Sequence, residues 1–200
     1  MKKITAIFLV TLFAIEAQSQ AIEFGVKAGI NLSSLTSAPN LGDANTTTGL
    51  VFGAFARTSS AGFFMQPEIL FTQRKGVFTD NASKQTVTNT LTYIDVPLLL
   101  GYKIAVFRFN AGPNLQFLMA ANQEAPAILN DPNFSKNNFN AFSVGMQLGV
   151  GVNLGKINLD ARYDGSIGDL GKTITTSSGQ NINYSTRANM FQLTLGYRIL

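Results

Sequence analysis

From Phe107 to Met119 the chain alternates without a break. Phe107, Phe109, Ala111, Pro113, Leu115, Phe117 and Met119 share one parity, and Arg108, Asn110, Gly112, Asn114 and Gln116 share the other. Successive side chains of a strand point to opposite faces, so this period of two predicts a strand with one apolar and one polar face. The same period recurs over 22–33, 49–57, 62–74, 90–104, 138–154, 157–168 and 187–200. Only 49–57 is ambiguous, because Val51 and Phe55 oppose Leu50, Phe52, Ala54 and Ala56 and leave two faces that are hard to tell apart. Pro67 cannot donate to a ladder, which predicts a bulge or a non-bonded position there.

The connections alternate short and long. Short ones fall at 58–61, 105–106 and 155–156, and long polar ones at 34–48, 75–89, 121–137 and 169–186. Residues flanking each short connection, such as Leu154 and Ile157 across Gly155-Lys156, keep their apolar parity on one side, as paired hairpin positions must. An even strand number with short turns at one end and long loops at the other predicts an all-β fold, an eight-stranded antiparallel up-and-down transmembrane β-barrel. Strands of about 10 tilted residues cross a bilayer, and most of these are longer.

A secreted lipocalin-like barrel has the opposite polarity, with apolar residues inside and charges outside. Composition argues against it. The charged fraction is 13%, against the roughly 25% usual in soluble domains. The polar parity is mostly Gly, Asn, Gln, Ser and Thr, which suits a narrow hydrated interior. The other parity suits lipid, with Tyr102, Phe107, Tyr163 and Tyr197 as candidates for interfacial girdles.

Lys2 and Lys3 precede an apolar run over 4–15 and the small residues Ala17 and Ser19, the layout of an export signal. We expect a signal peptide at 1–19, cleaved after Ser19 or Ala21, and a barrel domain over 20–200. Without Lys2, Lys3 and Glu16 the chain keeps 13 basic and 10 acidic side chains, too mild a balance for a nucleic-acid partner. The absence of Cys excludes a cysteine-linked acyl anchor, disulfides and thiolate metal sites.

No histidine is present, which removes most triad, general-base and metal arrangements. The glycine-rich run 149–155 lacks dinucleotide spacing and reads as the inward parity of a strand. Residues 164–169 and 130–133 hold oxygen ligands for calcium on paper, but read more simply as turn and loop residues. Counting along the strands places Lys27, Glu68, Asp160 and Arg162 at similar mid-depth on the inward parity. Asp95 and Asp164 stand higher, and Arg57, Lys103, Arg108 and Arg198 stand near the short-turn end. Buried charges persist only when paired, so these predict an interior polar plug, in which a catalytic carboxylate pair such as Glu68 with Asp160 is conceivable. We expect no catalytic, cofactor-binding or metal-binding residue.

Several segments carry a family resemblance. Residues 25–33 (Gly-Val-Lys-Ala-Gly-Ile-Asn-Leu-Ser), 66–71 (Gln-Pro-Glu-Ile-Leu-Phe), 93–99 (Tyr-Ile-Asp-Val-Pro-Leu-Leu) and 111–113 (Ala-Gly-Pro) resemble the PorT-type outer-membrane β-barrel family of Gram-negative bacteria, with a layout similar to OmpX and OmpA barrels. The resemblance implies a location in the outer membrane, contact with its lipid and delivery by the barrel-assembly machinery. That machinery recognises a final strand ending in an aromatic, where this chain has Leu200. We expect a non-enzymatic barrel whose surface loops serve binding, adhesion or an envelope or secretion complex with an envelope or extracellular protein partner. The alternatives are a small channel or a membrane-embedded enzyme acting on lipid or peptide.

Overall fold

The computed structural model describes residues 22–36, 47–79, 86–124, 140–166, 173–175, 181–183 and 187–200. The expected leader lies outside them. The strands are β1 (Ile22–Thr36), β2 (Thr47–Ser60), β3 (Phe63–Thr79), β4 (Thr86–Ile104), β5 (Phe107–Glu124), β6 (Phe142–Leu154), β7 (Ile157–Ser166), β8 (Thr173–Thr175), β9 (Asn181–Asn183) and β10 (Arg187–Arg198). Eight of them close into an antiparallel barrel in the order β1, β10, β7, β6, β5, β4, β3, β2, while β8 and β9 pair as a separate hairpin.

Closure gives each of the eight barrel strands a partner on both sides through the belt, which a lipid environment demands because it offers no hydrogen bonds to an unpaired backbone. It also forces a tilt. A path leaving β2 at Ser59 and following partners through Phe64, Gly101, Asn110, Gly149, Arg162, Gln192 and Asn31 returns to β2 at Gly49, ten residues along the strand. This stagger is the shear that couples strand number to tilt and leaves an eight-stranded interior just wide enough for side chains.

The two faces differ as lipid requires. Each barrel strand exposes large apolar side chains on its outer face, among them Phe24, Phe52, Ile69, Leu100, Phe109, Leu148, Leu159 and Leu195. Tyr102, Phe107, Tyr163 and Tyr197 are exposed on the same face. Among the described residues nine charged side chains are buried instead: Lys27, Arg57, Glu68, Arg74, Asp95, Arg108, Asp160, Arg162 and Asp164. That polarity is the reverse of a water-soluble barrel. On β2 the ambiguity resolves with the even residues outward and Val51 and Phe55 buried inside.

The ladders run further than the alternation. β3 and β4 stay paired to Thr79 and Thr86, so much of the loop expected at 75–89 is strand. β5 likewise continues to Glu124, and the loop expected at 169–186 contains the β8–β9 hairpin. The reason is that alternation reports contrast between two environments, whereas ladder hydrogen bonds need none. Beyond the apolar belt Thr, Asn and Gln suit either face, and the period fades while the pairing continues.

One local feature shifts the register and another interrupts the pairing without shifting it. Thr92 pairs with Ala120 and Tyr93 with Leu118, so Met119 is an extra residue on β5. Such a bulge shifts the residues beyond it to the opposite face, and it lets Ala121 pack on the buried Leu91, Tyr93 and Leu118. At Pro67 the β2–β3 register continues unshifted from Phe55–Glu68 to Thr58–Met65, but pairing lapses between them. The proline therefore occupies a non-bonded position rather than a bulge.

The connection expected at 58–61 is a two-residue turn, Ala61-Gly62, with Ser60 paired to Phe63. Both turn residues have positive φ, 49° and 88°, as a type I′ hairpin needs. Alanine is a poor signal for it, which is why the sequence obscures the turn. Ala105 also has positive φ, at 54°. The left-handed conformation costs an L-residue roughly 1–2 kcal/mol, and glycine returns up to about 1 kcal/mol of that as unfolded-state entropy. Ala105→Gly is therefore expected to raise unfolding stability by about 0.5 kcal/mol, read from denaturant midpoints of the refolded barrel in detergent.

Candidate functional site

The candidate site is the barrel interior, organised as two ion-paired layers. In the layer nearer the short-turn end, residues come from β1, β3, β5 and β7, every second strand around the wall. Lys27 Nζ donates to Glu68 Oε1 at 2.8 Å and lies 3.5 Å from Asp160 Oδ2. Arg162 grips Glu68 with two nitrogens, at 2.7 and 2.8 Å. Because β3 and β7 are four places apart in the closed order, this bidentate pair spans the full bore. Arg108 closes the ring by donating to Asp160 Oδ1 at 2.9 Å. Lys27, Glu68, Asp160 and Arg162, which the sequence puts at one depth, thus meet in one group.

This layer continues toward the short-turn end. Gln66 donates to Glu68, and its Oε1 accepts from Arg57 at 2.6 Å and Arg108 at 3.4 Å. Glu23 then bridges Arg57 on β2 (3.0 Å) and Arg198 on β10 (2.5 Å), holding β1 to both its neighbours. Lys103 stays at the exposed rim.

Asp95 and Asp164 belong to a second layer, organised by a residue the charge count overlooked. Arg74 donates to Asp95 at 3.0 Å and lies 3.8 Å from Asp164. Asn114, Gln147 and Gln116 donate to Asp164 at 2.6, 3.1 and 3.3 Å. Gln116 Oε1 in turn accepts from Arg74 and Ser143. The apolar group of Leu91, Tyr93, Leu118 and Ala121 packs beyond this layer, and the Arg74 guanidinium lies 4.4 Å from the Tyr93 ring centre.

Interior aromatics were legible only as exceptions to the alternation, yet they answer an imbalance of charge. Four buried cations, Lys27, Arg57, Arg108 and Arg162, face two buried carboxylates, Glu68 and Asp160. Phe55 and Phe64 offer π faces to the surplus. Lys27 and Arg57 approach Phe55 at 5.7 and 5.2 Å, and Arg57 and Arg108 approach Phe64 at 5.6 and 6.0 Å. Such contacts strengthen where water is excluded.

Space for these long side chains comes from glycine. A Cβ at Gly149 of β6 would stand 2.6 Å from Asn110 Oδ1 and 2.8 Å from Arg162 Cγ, and one at Gly145 would stand 2.7 Å from Asp164 Oδ1. The glycine-rich run 149–155 is therefore wall and turn, and its inward glycines make room for the ion pairs. Asp164 lies in β7 with its carboxylate engaged by amides, and residues 130–133 and 167–169 fall outside the described residues. Among the described residues no group of three or more metal-ligating side chains occurs.

The arrangement leaves Glu68 and Asp160 little chemistry. Both carboxylates are almost fully buried and each is engaged by at least two cations. Removing one partner of such a buried pair costs about 3–5 kcal/mol, because it strands the other charge. Glu68→Ala and Arg162→Ala should each lower stability by that order, measured as unfolding midpoints in detergent or lipid; unchanged midpoints for both would remove the layer's structural role.

Comparison with known proteins agrees with this geometry. The family model described as outer membrane protein beta-barrel domain matches residues 16–171. Among solved structures, Neisserial surface protein A aligns at 13% identity over 90% of this chain and 99% of that chain, with a TM-score of 0.55. Ail, the attachment invasion locus protein of Yersinia pestis, aligns at 12% identity over 89% and 99%, with a TM-score of 0.46. No curated protein matches by sequence. With the apolar wall, the closed eight-stranded ladder and a family match over more than half of its length, the chain belongs to the outer membrane protein beta-barrel domain family.

Proposed function

We propose that this is a non-enzymatic outer-membrane barrel of a Gram-negative bacterium that presents a surface to an envelope or extracellular protein partner. The observation that carries the reading is the bore itself, spanned by the Glu68–Arg162 pair. Side chains crossing an eight-stranded interior leave no continuous path for a solute, which weighs against a channel. Function then falls to surfaces outside the bore, and the barrel offers a distinctive one.

At the long-connection end, which faces outward in outer-membrane barrels, β5 leaves β6 at Phe117–Phe142 but stays with β4 to Thr88–Glu124. β3 and β4 reach Thr79–Thr86. These three strands form an extension of the wall beyond the last β5–β6 pair. Binding is commonly placed on such extensions of a rigid scaffold. The motif resemblance supports a PorT-type assignment and delivery by the barrel-assembly machinery, and the signal-like segment supports export with cleavage after Ser19 or Ala21.

The test is complementation of a deletion strain with a barrel whose residues 75–89 and 121–139 are each replaced by a two-residue turn. The expected result is a folded, heat-modifiable barrel in the membrane fraction that fails to restore the phenotype. Full complementation would overturn the reading. Planar bilayers containing the wild type are expected to show no discrete conductance steps, and stable unitary steps would favour a channel instead.

A further inference from the structure

The short-turn mouth of the bore carries more positive charge than its acids answer. Lys103 on β4 and Arg108 on β5 stand directly opposite each other in register, both on the inward parity. Like charges so placed repel. Lys103 is exposed at the rim, while Arg108 turns into the bore and is fully buried. Arg57 on β2 and Arg198 on β10 add two further cations at this end, and both are spent on the rim acid Glu23. Asp160, which Arg108 reaches at 2.9 Å, is shared with Lys27 and Arg162 at 3.5 and 3.7 Å. Among the described residues Lys103 has no carboxylate partner.

The hydrogen bonds show the same deficit. Arg57 and Arg108 converge on one neutral oxygen, Gln66 Oε1, at 2.6 and 3.4 Å, and both lie over the Phe64 ring. Two guanidiniums are thus held close together by an amide and an aromatic face. Each keeps a buried donor without a partner, Nη2 of Arg57 and Nε of Arg108, and a buried donor lacking an acceptor is destabilising. Asn153 Oδ1 and Asn158 Nδ2 are also unpartnered, but these two residues stand opposite each other across β6 and β7 and can answer one another. The arginines have no such neighbour among the described residues.

We propose that the short-turn mouth binds one phosphate group, free or as a monoester, which bridges Lys103 and Arg108 and takes the spare donors of Arg57 and Arg108. These donors come from β2, β4 and β5 and approach from different directions, which suits a tetrahedral anion of two charges better than the two coplanar oxygens of a carboxylate. Entry is from the rim, where Lys103 is exposed and Glu23 and Arg198 are half-buried. Glu23 is the group the phosphate competes with, because its carboxylate already occupies Arg57. The site lies at the opposite end of the barrel from the proposed partner surface and does not depend on it.

The experiment is calorimetric titration of the intact refolded barrel in nonionic detergent with inorganic phosphate, at an ionic strength fixed by sodium chloride. Wild type is expected to take up one phosphate. Lys103→Gln should weaken binding about tenfold, the scale of one charge-assisted hydrogen bond. Glu23→Gln, which removes the competing acid, should tighten it about threefold, the scale of an exposed charge pair. Asn153→Asp places a tethered carboxylate on β6 two residues from Gly151, the partner of Arg108, and should abolish uptake. Heat-modified gel mobility verifies that each variant is folded. Equal binding of glycerol phosphate would identify a monoester as the ligand, and its exclusion would identify the free ion. No saturable uptake by the wild type, an affinity unchanged in both Lys103→Gln and Asn153→Asp, or displacement of phosphate by equimolar acetate would overturn the proposal.

Discussion

Burying a carboxylate costs several kcal/mol unless cations surround it, and Glu68 and Asp160 meet that condition by drawing Lys27, Arg108 and Arg162 together in the bore. The rest of the interior follows from this. Arginine reaching across an eight-stranded bore needs room, which the inward glycines of β6 provide. Cations left over after pairing need another source of negative potential, which the faces of Phe55 and Phe64 provide. Replacing either set would disturb the ion pairs without touching a charge.

The same economy separates the two layers. The one nearer the short-turn end has more cations than acids, and the Arg74 layer has two acids to one cation. Amide donors from Asn114, Gln116 and Gln147 relieve the second layer. Neutral hydrogen-bonding residues on the inward parity are therefore part of the electrostatics, not filler between charges.

The fold was legible wherever lipid met one face and the bore the other. Phe107 to Met119 and 142–154 show this most cleanly. Legibility failed for three physical reasons. Where strands leave the belt, as in 75–79 and 86–89, neither parity of the sequence is consistently apolar and the period vanishes although the ladder persists. Where interior aromatics serve cations, as at Phe55, they imitate lipid-facing residues. And where a turn needs positive φ but uses alanine, as at Ala61 and Ala105, composition gives no sign. The four mid-depth charges were readable because depth is a count along strands. Arg74 escaped because it closes the alternating stretch 62–74 beside a loop expected at 75–89, so a count along that strand leaves it at the loop margin rather than in the bore.

Glu23 links a short-range contact to a very long one, and so carries information about time as well as place. Its bond to Arg57 joins residues 34 apart, within the β1–β2 hairpin, whereas its bond to Arg198 joins residues 175 apart. Local contacts form before distant ones, because closing a longer loop costs more chain entropy. The carboxylate can therefore be oriented by Arg57 early and stand ready until β10 arrives. A cylinder made from one chain must close on its own first strand, and at that seam Glu23 of β1 meets Arg198 of β10 while holding a partner within its own hairpin.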